Sequence, residues 1–335
     1  MKGTREFLEN LVSLVSETSK NAQCQKRFSL ANFVVEMKLH FSGYISSLIA
    51  GAFIETQIEK ADFTFSVYMR SDFDSLMQQI VRQLPNHHQE TPYSFELTNP
   101  FRVLILNSQG QIYLYSSLLK SGCIILRDSE LLDQRSYITP FRMIFSWMAD
   151  SFDGEILHAS GIAINGKSII ISGAKGSGKS TLALFSAIKG FNILSDDALL
   201  LVDNQIYAIY SRAKIEEDNI FTRSLLSASF ELINNVGAKR IFPLTSLNDQ
   251  FVRSAKVSFI AIPKRSEFSA MSPTDKNINL RSFLENSLRE IFGGEEKNKL
   301  RLTYFFERFE VLSFETSTDM NLNIELMRTL LIKDQ

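Results

Sequence analysis

Residues 167 to 181 read KSIIISGAKGSGKST, and Gly173 to Ser180 within them match the pattern G-x-x-x-x-G-K-[ST] at each defined position. The apolar run before the loop and the apolar-periodic STLALFSAI after it predict a strand, a glycine-rich turn and a helix. Glycine lets the backbone turn tightly and point its N–H groups at an anion. The N-terminus of the following helix adds partial positive charge. This stretch therefore predicts a loop that binds the phosphates of a nucleoside triphosphate.

Two side chains of the loop carry predicted chemistry. In loops of this kind the lysine at the position of Lys179 reaches the β- and γ-phosphates, and the hydroxyl at the position of Ser180 ligates Mg²⁺. ATP, or another nucleoside triphosphate, and Mg²⁺ are therefore the predicted cofactors. The predicted nucleotide contacts are Gly173, Ala174, Lys175, Gly176, Ser177, Gly178, Lys179, Ser180 and Thr181.

An acidic pair follows the loop in the segment NILSDDALLLV, where Asp196 and Asp197 separate two apolar runs. Adjacent carboxylates repel, so a pair that lines a cleft needs a cation or a proton between them. Mg²⁺ on a nucleotide would supply the cation, which leaves one carboxylate to accept a proton from an attacking hydroxyl. His158 precedes the loop in ILHASGIAIN, on the strand predicted to pair with the loop's strand. A lone histidine in a strand is more often a core residue than a catalyst.

The overall composition disfavours several classes of function. The 36 basic residues nearly cancel the 37 acidic ones, so the chain lacks the positive field typical of nucleic-acid binding. It has no run of about eighteen apolar residues that could span a membrane. Its cysteines, Cys24 and Cys123, lie outside any CxxC spacing, which favours a reducing, cytoplasmic setting. We expect no nucleic-acid or membrane partner, and a homo-oligomer stays open.

The length of 335 residues predicts two domains. Residues 1–135 contain short runs of β-branched and aromatic residues, such as FVVEMKLHF and QIYLYSS, with one helix near Asp74 to Gln83. Residues 136–335 alternate strand-like and helix-like segments. The predicted fold is therefore an α+β, mainly β N-terminal domain for substrate recognition or an accessory role, followed by an α/β P-loop domain.

The segment from Glu155 to Val202 resembles the C-terminal catalytic domain of HPr kinase/phosphorylase and its kinase relatives. That family places a histidine before the P-loop, a helix closed by glycine after it, and then an aspartate pair. This sequence has the same features in the same order: His158, the P-loop, Gly190, and the pair Asp196 and Asp197.

The resemblance implies a role for each matching residue. Asp196 would be the general base that takes the proton from the acceptor hydroxyl, and His158 would hold or tune it. Asp197 would join Ser180 at the Mg²⁺ site, while Lys179 would stabilise charge on the transferring γ-phosphoryl group. The segment YSRAKI is similar to a basic stretch of the kinase relatives, which makes Arg212 and Lys214 candidate phosphate or substrate contacts. A solvated basic edge explains these two residues equally well.

Departures from the family pattern bear on the substrate. Thr181 stands where HPr kinase has a glutamate, and the glycine-rich signature beyond the aspartates is missing. The chain therefore resembles a divergent branch, like the kinases of peptide-tailoring gene clusters or those acting on free serine. We predict an ATP-dependent kinase that phosphorylates a serine-type hydroxyl of a peptide, protein or small molecule. The alternative is a nucleotide-binding regulatory or scaffold protein without phosphotransfer.

Overall fold

A computed structural model describes residues 6–7, 9–10, 22–43, 49–83, 93–96, 100–128, 138–216, 234–236, 239–288 and 295–333. These residues form a mixed α/β protein with several sheets. The chain divides into two compact units. Unit 1 comprises Met1–Phe152 and Ile291–Gly294, and unit 2 comprises Asp153–Glu290 and Glu295–Gln335.

One mixed sheet forms the centre of unit 1. Its strands are β1 (Cys24–Leu30), β2 (Phe33–Leu39), β3 (Phe63–Met69), β4 (Tyr93–Glu96), β5 (Phe101–Leu106), β6 (Gln111–Ser116) and β7 (Ser121–Leu126). Their order across the sheet is β1-β2-β3-β7-β6-β5-β4. Strand β3 is parallel to β2 and β7, and the other neighbouring strands are antiparallel. Most of these strands are rich in β-branched and aromatic residues, which fit a pleated, buried surface.

Helices cover both faces of this sheet. Helix α1 (Phe73–Gln83) confirms the helix predicted near this position and buries Phe73 and Ile80 in a cluster with Cys123 of β7. Helix α2 (Arg142–Asp150) packs on the other face, because a Cβ built on Gly122 would lie 2.6 Å from Ile144 Cδ1. Gly122 and Cys123 are adjacent, and adjacent residues of a strand point to opposite faces.

Helix α2 belongs to unit 1, which ends at Phe152. The boundary predicted at 135/136 would group this helix with the P-loop domain. In the structure Phe145 contacts Phe28, Phe53 and Phe65 of unit 1. Helical spacing in the sequence indicates that a helix is present, but it does not indicate which sheet the helix covers.

Unit 2 contains a second, larger sheet and a small one. The strands in chain order are β8 (Glu155–Leu157), β9 (Ser160–Ile164), β10 (Lys167–Ile171), β11 (Asn192–Ser195), β12 (Leu199–Val202), β13 (Gln205–Ala208), β14 (Arg212–Glu216), β15 (Asn234–Val236), β16 (Lys239–Pro243), β17 (Ser254–Arg265), β18 (Ala270–Pro273) and β19 (Glu310–Thr316). The large sheet has the order β11-β9-β10-β17-β13-β12-β8, with β19 on β17 and β18 on β19. The small sheet has the order β14-β16-β15.

The strand directions bring several strand ends to one edge of the large sheet. Strands β10 and β11 both pair with β9 in antiparallel fashion, so β10 and β11 are parallel to each other. Strand β17 is parallel to β10, and β19 is parallel to β17. The carboxyl ends of β11, β10, β17 and β19 therefore meet at the same edge, which is where ligands bind in open α/β sheets.

The helices of unit 2 are α3 (Lys179–Ile188), α4 (Lys276–Leu288), α5 (Glu295–Arg308) and α6 (Met320–Lys333). Helices α3 and α6 share a core with the large sheet, to which α3 contributes Leu184 and α6 contributes Met327. Gly190 follows the end of α3 with a φ of 89°, so the predicted glycine closure of this helix is confirmed. None of the helices in the described part of the chain is both long and apolar enough to cross a membrane.

Candidate functional site

The glycine-rich loop joins β10 to α3, as the sequence predicts. Strand β10 is a run of isoleucines buried in the middle of the sheet, so its direction and the start of the loop are fixed by packing. Gly176 and Gly178 have φ values of 83° and 94°, a region that side chains disfavour. A Cβ at either position would meet no atom within 4 Å, so the loop backbone borders open space. Ala174 and Lys175 are exposed at the tip.

Lys179 opens α3 and turns its side chain back into the loop. Its Nζ donates to the carbonyl oxygens of Gly173, at 2.7 Å, and Ala174, at 3.1 Å. Burial lowers the pKa of Lys179, while the charges of Asp197 and Asp196 oppose this shift. The ammonium group thus lies against the loop backbone that borders open space. A phosphate bound there would offset the free-energy cost of burying the charge of Lys179.

The acidic pair directly follows β11, so it lies at the same sheet edge as the loop. Asp196 is 1% exposed. Its Oδ2 accepts a hydrogen bond from the backbone N–H of Lys214 at 2.9 Å. Burial, followed by the charge of Asp197, raises the pKa of Asp196, while the charge of Lys214 and the Ser180 hydroxyl oppose this shift. A nearby cation would therefore stabilise the ionised form of this buried carboxylate.

Asp197 has different neighbours from Asp196. Its Oδ2 lies 2.9 Å from Lys214 Nζ, and its Oδ1 lies 3.7 Å from His158 Nε2. The histidine separation exceeds a hydrogen bond and corresponds to an electrostatic contact when the ring is protonated. The sequence analysis predicted that His158 holds or tunes Asp196, whereas in the structure the His158 ring lies beside Asp197.

The strand predicted to carry His158 is broken at that residue. Strand β8 ends at Leu157 and pairs with β12, whereas β9 begins at Ser160 and pairs with β10 and β11. His158 lies in the bend between them, with 26% of its side chain exposed. Both pieces are apolar, so the sequence gives no sign that they pair with different neighbours. The bend takes His158 out of the ladder and leaves its ring beside the acidic pair.

The two basic candidates both lie on β14, at positions two apart and therefore on the same face of the strand. Arg212 is 3% exposed, and the side chain of Lys214 is 17% exposed. The alternative interpretation, in which both residues are solvated at an exposed edge, therefore fits neither of them. Lys214 contacts both aspartates, one through its amide and the other through its ammonium group.

Ser160 is a member of this cluster that the sequence did not predict. Its hydroxyl donates to the backbone oxygen of Asp196 and lies 3.5 Å from Asp196 Oδ1. The residue is fully buried, and a serine in an apolar strand is the one signal that could have identified it.

The residues fit a Mg²⁺–nucleotide complex on two counts. The Ser180 hydroxyl is near enough to influence the pKa of Asp196, so the two side chains offer two oxygen ligands, and Mg²⁺ binds through one or two carboxylates together with substrate phosphates. Ser177 Oγ, in the loop itself, is buried and has no hydrogen-bond partner among the described residues.

Comparisons with known proteins include a distant structural match. No family model matches the chain, and no curated protein matches it. Among solved structures, one similar protein is the HPr(Ser) kinase/phosphatase from Coxiella burnetii, at 15% sequence identity and a TM-score of 0.26. The match covers 54% of this chain and 95% of that one. At this distance the comparison defines neither a family nor any site residue for this chain.

Proposed function

We propose that this chain is a kinase that transfers the γ-phosphoryl group of ATP to a serine-type hydroxyl. The observation that carries the proposal is the meeting of the P-loop with an acid–base cluster. Lys179 and Ser180 start α3, Asp196 accepts the Lys214 amide, and Asp197 lies between Lys214 and His158. A loop that only bound phosphate would need the lysine and the serine, but it would have no use for a second, separately held carboxylate.

The contacts favour exchanging the roles that the sequence analysis gave to the two aspartates. Asp196 is 1% exposed and its Oδ2 accepts the Lys214 amide, so an acceptor hydroxyl could not reach that oxygen without displacing the amide. Its raised pKa would ordinarily suit a general base, but geometry has to be met first. A bound divalent cation reverses that pKa shift by favouring the ionised form. We therefore assign Asp196 to the metal side and Asp197 to the proton.

In this scheme Asp197 accepts the proton of the acceptor hydroxyl as the oxygen attacks the γ-phosphorus. The bond from that phosphorus to the β–γ bridging oxygen breaks, and ADP leaves with the electron pair. Lys179 stabilises charge on the phosphoryl oxygens, and Lys214 and His158 hold Asp197 in place. Ser180 and Asp196 would hold Mg²⁺, which would supply positive charge that stabilises the phosphates.

Two matched variants test the proposal with labelled ATP and candidate hydroxyl acceptors. Asp197→Asn should lower the transfer rate about 100- to 10,000-fold, the usual contribution of a general base, while nucleotide still binds. Asp196→Asn should raise the Mg²⁺ concentration needed for half-maximal binding of ATP. Asp203→Asn is the control, because Asp203 is exposed in a turn of the same unit with a φ of 54°, which asparagine tolerates.

The outcomes separate the alternatives. If Asp197→Asn loses Mg²⁺ dependence while Asp196→Asn loses only transfer, the original role assignment is correct. If the wild-type chain binds ATP and yields no phosphorylated product with any acceptor, the chain is a nucleotide-binding regulatory or scaffold protein.

A further inference from the structure

The proposed nucleotide site leaves open where the nucleoside part of ATP lies, and the topology of the large sheet restricts the choice. Phosphoryl transfer places the attacking and leaving oxygens roughly in line on opposite sides of the γ-phosphorus. Asp197, which faces the attacking hydroxyl, comes from the end of β11, on one side of β10. The leaving ADP must therefore extend toward the other side of β10, where β17 is the neighbouring strand.

Residues Ile262–Arg265 of strand β17 extend past the end of β10 and form a wall beside the loop. Ile171, the last residue of β10, pairs with Ala261, and β17 continues for the four residues Ile262–Arg265 beyond that point. Four extended residues span about 13 Å. The loop touches this wall at its first residue, since a Cβ on Gly173 would lie 3.4 Å from Pro263 Cδ. Neighbouring strands are about 5 Å apart, so a nucleotide that leaves the loop on this side meets β17 at once.

The wall ends in the turn 266–269, which carries an exposed aromatic ring. Phe268 is 60% exposed, so one face of its ring is free to contact a ligand at the end of this strand. Lys264 and Arg265 before it are also exposed, with Glu267 between them and the ring. One flat apolar face with adjacent net positive charge matches the chemistry of a purine or pyrimidine that bears phosphates.

The turn is fixed to the rest of unit 2, so the ring stands on an ordered platform. The Ser266 N–H donates to the Thr316 carbonyl at 3.0 Å. Ser269 Oγ lies 2.6 Å from Ser317 Oγ and donates to Asn323 Oδ1 at 2.7 Å, and Asn323 is fully buried. A platform that is already ordered loses little conformational freedom when a ligand binds.

From these observations we infer that the turn 266–269 is the base subsite of the nucleotide site and that Phe268 stacks on the base of the bound nucleotide. The inference rests on the proposed function for the position of the phosphates. It adds a residue outside the P-loop that would let the site distinguish a nucleotide from a polyphosphate that lacks a nucleoside.

Titration of the full-length chain with two ligands tests the subsite. The ligands are Mg²⁺–ATP and Mg²⁺–tripolyphosphate, which differ in the nucleoside. Phe268→Ala should weaken ATP binding about 5-fold or more, as loss of one base–aromatic stack does, and leave tripolyphosphate binding unchanged. Phe268→Tyr should restore ATP binding because it keeps the ring. Tyr304→Ala is the control, since Tyr304 is 64% exposed on α5 of the same unit.

A fluorescence measurement reports stacking directly. The single native tryptophan, Trp147, is 2% exposed in unit 1, so Phe268→Trp adds the only exposed indole. ATP should quench this new fluorescence and tripolyphosphate should not, whereas Tyr304→Trp should respond to neither ligand.

Equal effects of Phe268→Ala on both ligands, or no effect on ATP, would overturn the subsite and leave the proposed kinase activity standing. Absence of any ATP binding would overturn both. A Phe268-dependent binding of ATP without phosphoryl transfer would keep the subsite and overturn the kinase.

Discussion

At the scale of single residues, Asp196 makes the site sensitive to pH. Burial and the neighbouring Asp197 raise the pKa of Asp196, so the folded chain takes up a proton here more readily than the unfolded chain. The contribution of this group to stability is greatest when the carboxyl is protonated and is lost as the pH rises through its folded pKa. If Asp196 holds Mg²⁺ as we propose, the metal requires the ionised form and competes with that proton.

We expect Asp196→Asn to become more stable relative to wild type as the pH rises, since asparagine carries no charge to bury. In the wild type, stabilisation by Mg²⁺–ATP should shrink as the pH falls toward the raised pKa. Urea unfolding over a pH series, with and without Mg²⁺–ATP, measures both effects. The exposed Asp203→Asn serves as the control, and an Asp196→Asn curve that stays parallel to wild type would contradict the assignment of this shift.

The sequence proposes the residues whose type and spacing phosphate chemistry would set. Lys179 and Ser180 follow from the loop pattern, and Asp196 with Asp197 follows from two carboxylates placed between apolar runs. The contacts of Ser160 and Lys214 could not be predicted, because they depend on how β9 and β14 approach the end of β11 in space. The exchange of roles that we propose for the two aspartates depends on contacts of the same kind.

At the scale of helices and strands, Gly122 is where β7 and α2 approach most closely. A Cβ there would lie 2.6 Å from Ile144 Cδ1 and 2.7 Å from the backbone oxygen of Leu114, which cannot move away easily. Gly122→Ala should therefore cost about 1–3 kcal/mol of unfolding free energy, the usual penalty of overpacking. Chemical denaturation measures this, and Leu118→Ala, exposed in the nearby β6–β7 turn, should change stability by less than about 0.5 kcal/mol.

A double mutant tests whether the stability lost in Gly122→Ala arises from contact with α2. Ile144→Val removes the Cδ1 atom, so combining it with Gly122→Ala should cost less than the sum of the two single changes. Strict additivity would mean that the helix does not pack on β7 as described. The test also bears on the chain's organisation, because the residues of α2 had been predicted to belong with the P-loop domain.

At this scale, the sequence could not predict which strands pair with each other. The run ILHASGIAIN, expected as one strand, forms two strands with a bend at His158, whereas the strand–loop–helix order around Gly173 is confirmed. Periodicity describes which residues are buried, but the choice of partner strand depends on contacts far apart in sequence. The break at His158 is of this kind, and it determines which aspartate the histidine meets.

At the scale of the whole molecule, each unit has its own buried cluster, one around Phe73 and Ile112 and the other around Ile171 and Leu184. Calorimetry of the full chain should therefore show two transitions. Mg²⁺–ATP at about 100 times its Kd adds about 2.7 kcal/mol to the unit that binds it, which should raise one transition by about 5–10 °C. Gly122→Ala should lower the other transition and leave the ATP-dependent shift intact. If ATP and Gly122→Ala move one shared transition, the two units unfold as a single cooperative body, and nucleotide binding at the P-loop then stabilises the β-rich unit as well.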